Sequence, residues 1–396
     1  MDFSLLNDSL SLYIHIPFCQ RKCPYCDFNT YAGLNRLFDP FTAALAQEIT
    51  LAGAGRGRPA ARTLFLGGGT PTVLPPDRLA LVLDACRAAF DLLPDAEITS
   101  EANPGTVDAD RFAALRRLGI NRLSMGVQSF DPAELAFLGR IHSAGEAVAA
   151  MDAARAAGFD NINLDFIYGL PRQSPATWRS TLSRAIDLAP EHISLYSLTI
   201  EEGTPFGDWA AAGRLAQPSP DLAADLYEIA DELLASAGYL QYEISNWAKP
   251  GQSTNLPITD PHFACRHNLT YWRNEPYLGF GPGAHSSENG RRWAAVRPVP
   301  GYIERIARGD GVVDFVEEID QRLGMGETMM LGLRLVREGV TFERFQRQHH
   351  RPMLEVFGAE IERLERLRLL ERLPDRVRLT PAARLVGNQV FAAFLP

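Results

Sequence analysis

Six short apolar stretches, each followed by a helix-length segment, constrain the fold of this 396-residue chain more than any other feature. The strand candidates are residues 12–16, 63–66, 97–101, 122–127, 161–167 and 192–198, and the helix candidates between them are 40–52, 77–90, 109–118, 132–157 and 175–188. Strands that alternate with helices predict a parallel sheet with right-handed crossovers. Six such units are too few to close an eight-stranded barrel.

The first strand runs into the second informative feature. In SLYIHIPFCQRKCPYCDFNTYA, Leu12, Ile14 and Ile16 alternate with Tyr13 and His15 until Pro17 stops the strand, and Cys19, Cys23 and Cys26 follow on a loop. The spacing is C-x3-C-x2-C, with Phe28 just beyond it. The chain has only 5 cysteines, so two more at those offsets from a first is an accident of roughly one in a thousand. Three thiolates can each bind one iron of a [4Fe-4S] cube and leave the fourth iron open for chemistry. A zinc loop would want a fourth Cys or His close by, and none follows within the loop. An odd cysteine count with three of them metal-bound fits a reducing compartment. Cys86, on an amphipathic stretch with Leu79, Val82 and Phe90, reads as a buried small hydrophobe.

With YIHIPFC ahead of the triplet, the sequence resembles the radical S-adenosylmethionine (SAM) superfamily, and within it the HemN/HemW branch. The resemblance implies an open, partial (β/α)6 barrel followed by a smaller α+β, winged-helix-like C-terminal domain. It also implies that the open iron chelates the amino and carboxylate groups of SAM, whose sulfonium the cluster cleaves by one-electron transfer. The expected division is 1–245 for the barrel, 246–320 for a connecting segment and 321–396 for the C-terminal domain.

In such a barrel the site lies at the C-terminal strand ends, and polar and glycine motifs fall there. Gly67-Gly68-Gly69-Thr70-Pro71-Thr72 follows the second strand, where bare backbone would let a ligand approach and offer it N–H donors. Glu101 ends the third strand, Gln128 ends the fourth, and Asp165 lies within the fifth. By resemblance Tyr13, Tyr25, Gly68, Gly69, Thr70, Glu101, Gln128, Arg140 and Asp165 contact SAM. In that reading Glu101 pairs with the ammonium, Asp165 with ribose hydroxyls or a second ligand's charge, and Arg140 offers its planar fork to a carboxylate. A second glycine run, LGFGPGAHS at 278–286, lacks the dinucleotide spacing and lines the SAM pocket by analogy.

Beyond the barrel, 203–213 reads as a Gly- and Trp-containing connection and 218–238 as an amphipathic helix ending at glycine. The string Cys265-Arg266-His267-Asn268-Leu269-Thr270-Tyr271-Trp272 is the most branch-specific. By resemblance His267 and Tyr271 are haem-associated, with Cys265 a further possible ligand. Residues 252–264 read as an insertion relative to the family pattern. Leu354, Phe357, Ile361, Leu364 and Leu367 form a helical core stripe, and His349-His350 reads as a solvated helix face, since adjacent helical residues diverge. The tail reads as a short β-wing, a Thr-Pro helix start and a final helix.

Composition excludes other classes. A net charge of -9 argues against a nucleic-acid surface. The N-terminus lacks the charged and apolar regions of a signal peptide, and no run reaches membrane-spanning length. A cytoplasmic protein, peripheral to a membrane at most, is expected. The resemblance implies a haem chaperone that binds haem, the cluster and SAM, delivers haem to respiratory haem proteins and forms a homodimer. Two alternatives share the framework: an oxygen-independent coproporphyrinogen III dehydrogenase and a radical methyltransferase. The dehydrogenases carry a longer N-terminal arm and a further Cys at the position of Phe28; both departures favour the chaperone.

Overall fold

The computed structural model describes residues 9–251 and 261–396. Most of the inserted stretch 252–264, like the first eight residues, lies outside the described residues. Two compact units emerge. One comprises Met1–Leu233, Tyr277–Ser286 and Trp293–Val316; the other comprises Leu234–Pro276, Ser287–Arg292 and Glu317–Pro396.

The first unit is built on six parallel strands, β1 (Leu10–Ile16), β2 (Ala60–Gly68), β3 (Asp91–Ala102), β4 (Arg122–Gln128), β5 (Ile162–Tyr168) and β6 (His192–Ser197), paired in chain order. On its outer side β1 pairs in parallel with Tyr277–Phe280 instead of β6, so the barrel stays open. Between the strands run α1 (Phe38–Ala54), α2 (Pro76–Ala89), α3 (Ala109–Arg117), α4 (Pro132–Phe137), α5 (Ala144–Ala156), α6 (Pro175–Asp187) and, after β6, α7 (Pro205–Ala211).

Local chemistry starts these helices where it should. Asp108 caps α3, Ser143 with Glu146 and Ser174 with Thr177 form capping boxes on α5 and α6, and Pro sits in the first turn of α4 and α6. The single helix expected over 132–157 is two. Gly139 takes a left-handed φ of 65° and breaks the run before Ser143 restarts it. The connection expected over 203–213 holds α7, because Thr204 accepts from the Gly207 N–H and Pro205 opens the turn.

Period-2 alternation divides the sheet into two faces. Leu12, Ile14, Ile16, Leu64, Leu66, Leu123, Met125, Leu164 and Phe166 make a buried apolar face. The other face carries Tyr13, His15, Glu101, Ser124, Asn163, Asp165 and Ser194, where the site is built.

In the second unit an antiparallel pair, Leu240–Glu243 with Asn246–Ala248, precedes the helix Arg266–Trp272. The helices Gln321–Gly332, Phe342–His349 and Met353–Arg366 and a three-stranded antiparallel sheet follow. Met325, Met329, Phe345, Met353, Phe357, Ile361, Leu364 and Phe394 form its core. The stripe on Met353–Arg366 is therefore Met353, Phe357, Ile361 and Leu364. Leu354 and Leu367 are 40% and 57% exposed, since the true stripe begins one residue earlier and the helix ends at Arg366. His349 is also not simply solvated. Its Nε2 is 2.8 Å from Thr328 Oγ1 and its ring lies 4.8 Å from Phe345, while His350 takes the left-handed C-cap position.

Candidate functional site

The cysteine loop is pinned at both ends. Phe18–Cys19 pairs in parallel with Tyr31–Ala32, and the Phe18 ring packs 4.7 Å from Phe38 and 5.0 Å from Phe41. Asn29 crosses the base of the loop, donating from Nδ2 to the carbonyls of Pro282 and Arg297 at 2.9 Å each. His15 Nε2 donates to Asn29 O at 3.0 Å, which leaves Nδ1 to accept from Tyr13 OH at 3.0 Å. Burial pushes the His15 pKa down, so the ring stays neutral in that tautomer. Cys19, Cys23 and Cys26 are all free and partly exposed.

The glycine run lies across the start of this loop. Gly69 N–H donates to Ile16 O at 2.9 Å and Thr70 N–H to Phe18 O at 2.8 Å, while Gly68 N–H donates to Glu101 Oε2 at 3.0 Å. The three N–H groups are thus spent inside the chain, not offered outward as the sequence suggested. Glycine is needed for close approach. A Cβ on Gly69 would stand 2.6 Å from Phe18 O, and one on Gly68, at φ 100°, 2.4 Å from the His15 ring. The second glycine run serves the same base: a Cβ on Gly281 would meet His15 O at 2.5 Å, and one on Gly283 would meet Asn29 at 2.8 Å.

Glu101 and Asp165 are the acidic pair of the polar face. Burial, and then the charge of Asp165, push the Glu101 carboxyl up to about 8. Asp165 is also pushed up by burial, but donors oppose the shift. Asn163 Nδ2 donates to Oδ1 at 2.8 Å and Ser124 Oγ to Oδ2 at 3.0 Å. The set runs deeper: Asn163 Nδ2 also donates to Ser124 Oγ at 2.7 Å, and its Oδ1 accepts from Ser194 Oγ at 3.0 Å and His192 Nδ1 at 2.6 Å. Burial lowers His192 well below its usual range, so it donates as a neutral ring. Every amide atom of Asn163 is engaged and directs donors at Asp165.

Arg140 and Gln128 complete the strand-end group. Arg140 Nη2 donates to Gly126 O at 2.6 Å, and Nη1 lies 3.5 Å from both Cys23 Sγ and Tyr25 OH. The fork is thus partly taken by backbone and loop. Its Nε is buried without a partner, and so is Gln128 Oε1. Gln128 sits at φ 70° beside a break in register between β4 and β5. A strained residue with an unpaired buried acceptor at a strand end marks a place prepared for a ligand donor. Tyr25 packs against the buried cluster that holds Leu138 and Phe206, its ring 6.2 Å from that of Phe206.

Gly68, Gly69, Thr70, Glu101 and Gln128 lie at strand ends of the first unit, Tyr13 and Asp165 at the middle of β1 and β5, and Tyr25 and Arg140 on loops beside Cys23. His15, Asn29, Thr30, Ser124, Asn163, His192 and Ser194 were missed. Period 2 from Tyr13, Gly126 and Asp165 reaches His15, Ser124 and Asn163; His192 and Ser194 lie opposite Asn163 and Asp165 on β6, a pairing that no spacing in the sequence shows, and Asn29 and Thr30 lie between Cys26 and the Tyr31–Ala32 strand that pairs with Phe18–Cys19.

Cys265, His267 and Tyr271 lie in the second unit. Cys265 is buried, and its N–H donates to Tyr242 OH at 3.3 Å. His267, 2% exposed, holds Tyr271 OH at 2.9 Å through Nε2, ring edge to face. From the same helix Leu269 packs in a cluster with Tyr242, Ala248, Ala264 and Leu335.

The radical SAM superfamily model matches residues 13–185, and the HemN C-terminal domain model matches residues 320–386. The solved structure titled "Coproporphyrinogen III oxidase (HemN) from Escherichia coli is a Radical SAM enzyme" superposes with a TM-score of 0.81. It covers 98% of this chain and 90% of that one at 23% identity, a likeness of fold. Fold and domains define a radical SAM protein with a HemN-type C-terminal domain. The chain is 38% identical to heme chaperone HemW of Bacillus subtilis over 97% of its own length and 99% of that protein. It is 45% identical to heme chaperone HemW of Escherichia coli over 70% of this chain and 69% of that one. A mouse protein, "Radical S-adenosyl methionine domain-containing protein 1, mitochondrial", is 38% identical over 69% of this chain and 60% of its own. The chain belongs to the heme chaperone HemW family. Among its described residues no helix is long and apolar enough to cross a membrane.

Proposed function

We propose that this chain is a haem chaperone that carries a [4Fe-4S] cluster on Cys19, Cys23 and Cys26, binds SAM at the strand ends and delivers haem to respiratory haem proteins. The observation that carries the reading is its similarity, along nearly the whole of both chains, to a protein named heme chaperone HemW. The likeness to the solved coproporphyrinogen oxidase is weaker in sequence, 23% identity, and speaks for the fold.

The residues suit the two cofactors. Three free thiols sit on a loop fixed at both ends. Among the described residues no three His, Cys, Asp or Glu side chains are grouped to hold one metal ion, and thiolates that serve three separate irons need not be. Glu101 and Asp165 offer acceptors to an ammonium and to hydroxyls. Arg140 Nε offers a donor, and Gln128 Oε1 an acceptor, both still without partners. When bound, the cluster supplies one electron to the SAM sulfonium. The chain's own work is to orient. His192, Ser194 and Ser124 fix Asn163, which aims Asp165, and Gly67 leaves room for Glu101, since a Cβ there would stand 3.1 Å from its carboxylate. Glu101 starts protonated near neutral pH and gives up that proton when a cation settles beside it.

For haem, His267 is the candidate ligand, with Tyr271 and Cys265 beside it. Because His267 Nε2 is bonded to Tyr271 OH, ligation through that atom requires the bond to open. Two variants separate the roles. Cys23→Ser is expected to lose iron and sulfide after anaerobic reconstitution. His267→Ala keeps both and weakens haem binding about tenfold, the worth of one good polar interaction. Loss of the cluster in His267→Ala would sink this division of labour.

A further inference from the structure

Each cysteine of the loop has a hydrogen-bonding side chain at its sulfur. Thr70 Oγ1 lies 3.7 Å from Cys19 Sγ, Arg140 Nη1 3.5 Å from Cys23 Sγ, and Thr30 Oγ1 3.9 Å from Cys26 Sγ. The three donors come from three separate places in the chain: the end of β2, the break between α4 and α5, and the far end of the loop itself. We propose that Thr70, Arg140 and Thr30 are a set of side-chain donors that together reach all three ligating sulfurs and raise the reduction potential of the cluster. The proposal rests on the reading that these cysteines hold a [4Fe-4S] cluster.

A ligating thiolate carries no proton, so its sulfur can only accept, and the threonine hydroxyls must donate. Adding one electron to the cluster increases the negative charge on the sulfurs. A donor therefore stabilises the reduced state more than the oxidised one, and hydrogen bonds to sulfur are among the recognised levers on cluster potential. Thr30 and Thr70 are 3% and 8% exposed, which shields their bonds from competing water. Arg140 adds a full positive charge, held in place by its 2.6 Å bond to Gly126 O. Its effect should be the largest of the three. Thr30 is the cleanest probe, because its hydroxyl serves ligating sulfurs, Cys26 and also Cys19, and its backbone is fixed by the Thr30 N–H to Phe28 O and Tyr31 N–H to Pro17 O bonds, 2.7 Å each.

The test uses the full chain, reconstituted anaerobically without SAM, with iron and sulfide assayed first and the one-electron couple then titrated by electron paramagnetic resonance. Thr30→Val, which keeps the shape and removes the hydroxyl, is expected to lower the reduced-to-oxidised ratio at fixed potential severalfold. Thr30→Ser should restore it. Arg140→Gln should lower the ratio by tenfold or more, ~59 mV for one electron. Should Thr30→Val fail to take up cluster, Arg140→Gln and Thr70→Val decide the matter. Variants that hold the full complement of iron at the wild-type potential overturn the tuning alone. A wild-type chain that takes up no cluster overturns the reading of the site and the tuning with it.

Discussion

Glu101 shows how much of the site is set by a single residue's surroundings. In the free chain its folded pKa of about 8 stands far above the ordinary carboxylate value of 4.5. Between those two values the folded state therefore holds more protons than the unfolded state, and stability falls as pH rises through the window. Replacing it with the neutral isostere should remove that slope. Glu101→Gln is expected to raise the stability of the cofactor-free chain at pH 8 by about 1–3 kcal/mol and to leave it nearly unchanged at pH 5, read from thermal unfolding at the two pH values. It should also weaken SAM. An equal effect at both pH values would contradict the assignment. At this scale Glu101 and Gln128 were legible from their places at strand ends, and Asp165 from its place as a carboxylate within a strand. The sequence could not show that the N–H groups of Gly68, Gly69 and Thr70 are used up internally, because that depends on Ile16, Phe18 and Glu101 lying opposite them. Nor did it show Asn163 or His192, whose meaning comes only from pairing across β4, β5 and β6.

At the scale of elements, the six strands were legible because each is bounded by Gly, Pro or polar residues and alternates against a helix of different period. The helix expected over 132–157 was not, since apolar periodicity runs on through a break that is made by one glycine and a capping serine. Gly139 could have been taken for a tolerated mid-helix glycine, but its left-handed φ sets Arg140 beside Cys23. The tie between β1, β2 and the cysteine loop makes the sharpest prediction here. In Gly69→Ala the new methyl would press on backbone atoms of Ile16 and Phe18, 2.6 to 2.9 Å away, which have no flexible side chain to move aside. The loop must shift. Gly69→Ala should fold with a near-native circular dichroism spectrum yet hold less than about half the wild-type iron, the consequence of a ligand set moved by even a few tenths of an ångström. Full iron content would show that the loop has slack that this packing denies it.

For the whole molecule, the order of information in the chain matches the order of the fold. The barrel motifs read early because a cluster loop and strand-end polar residues need particular residue types at fixed spacings. The C-terminal unit reads only as a core stripe and a wing, and one residue of register moved Leu354 from core to surface. The candidate haem residues are hardest. His267 sits in a packed, hydrogen-bonded setting that a purely structural histidine would share, and what singles it out is family membership. The central claim is therefore tested most directly by titrating haem into the anaerobically reconstituted chain and following the absorbance. The account predicts saturable binding at about micromolar affinity or tighter, ~8 kcal/mol, weakened in His267→Ala. The absence of saturable binding by a chain with its full cluster would contradict it and turn attention to a porphyrin-modifying or methyl-transferring radical enzyme.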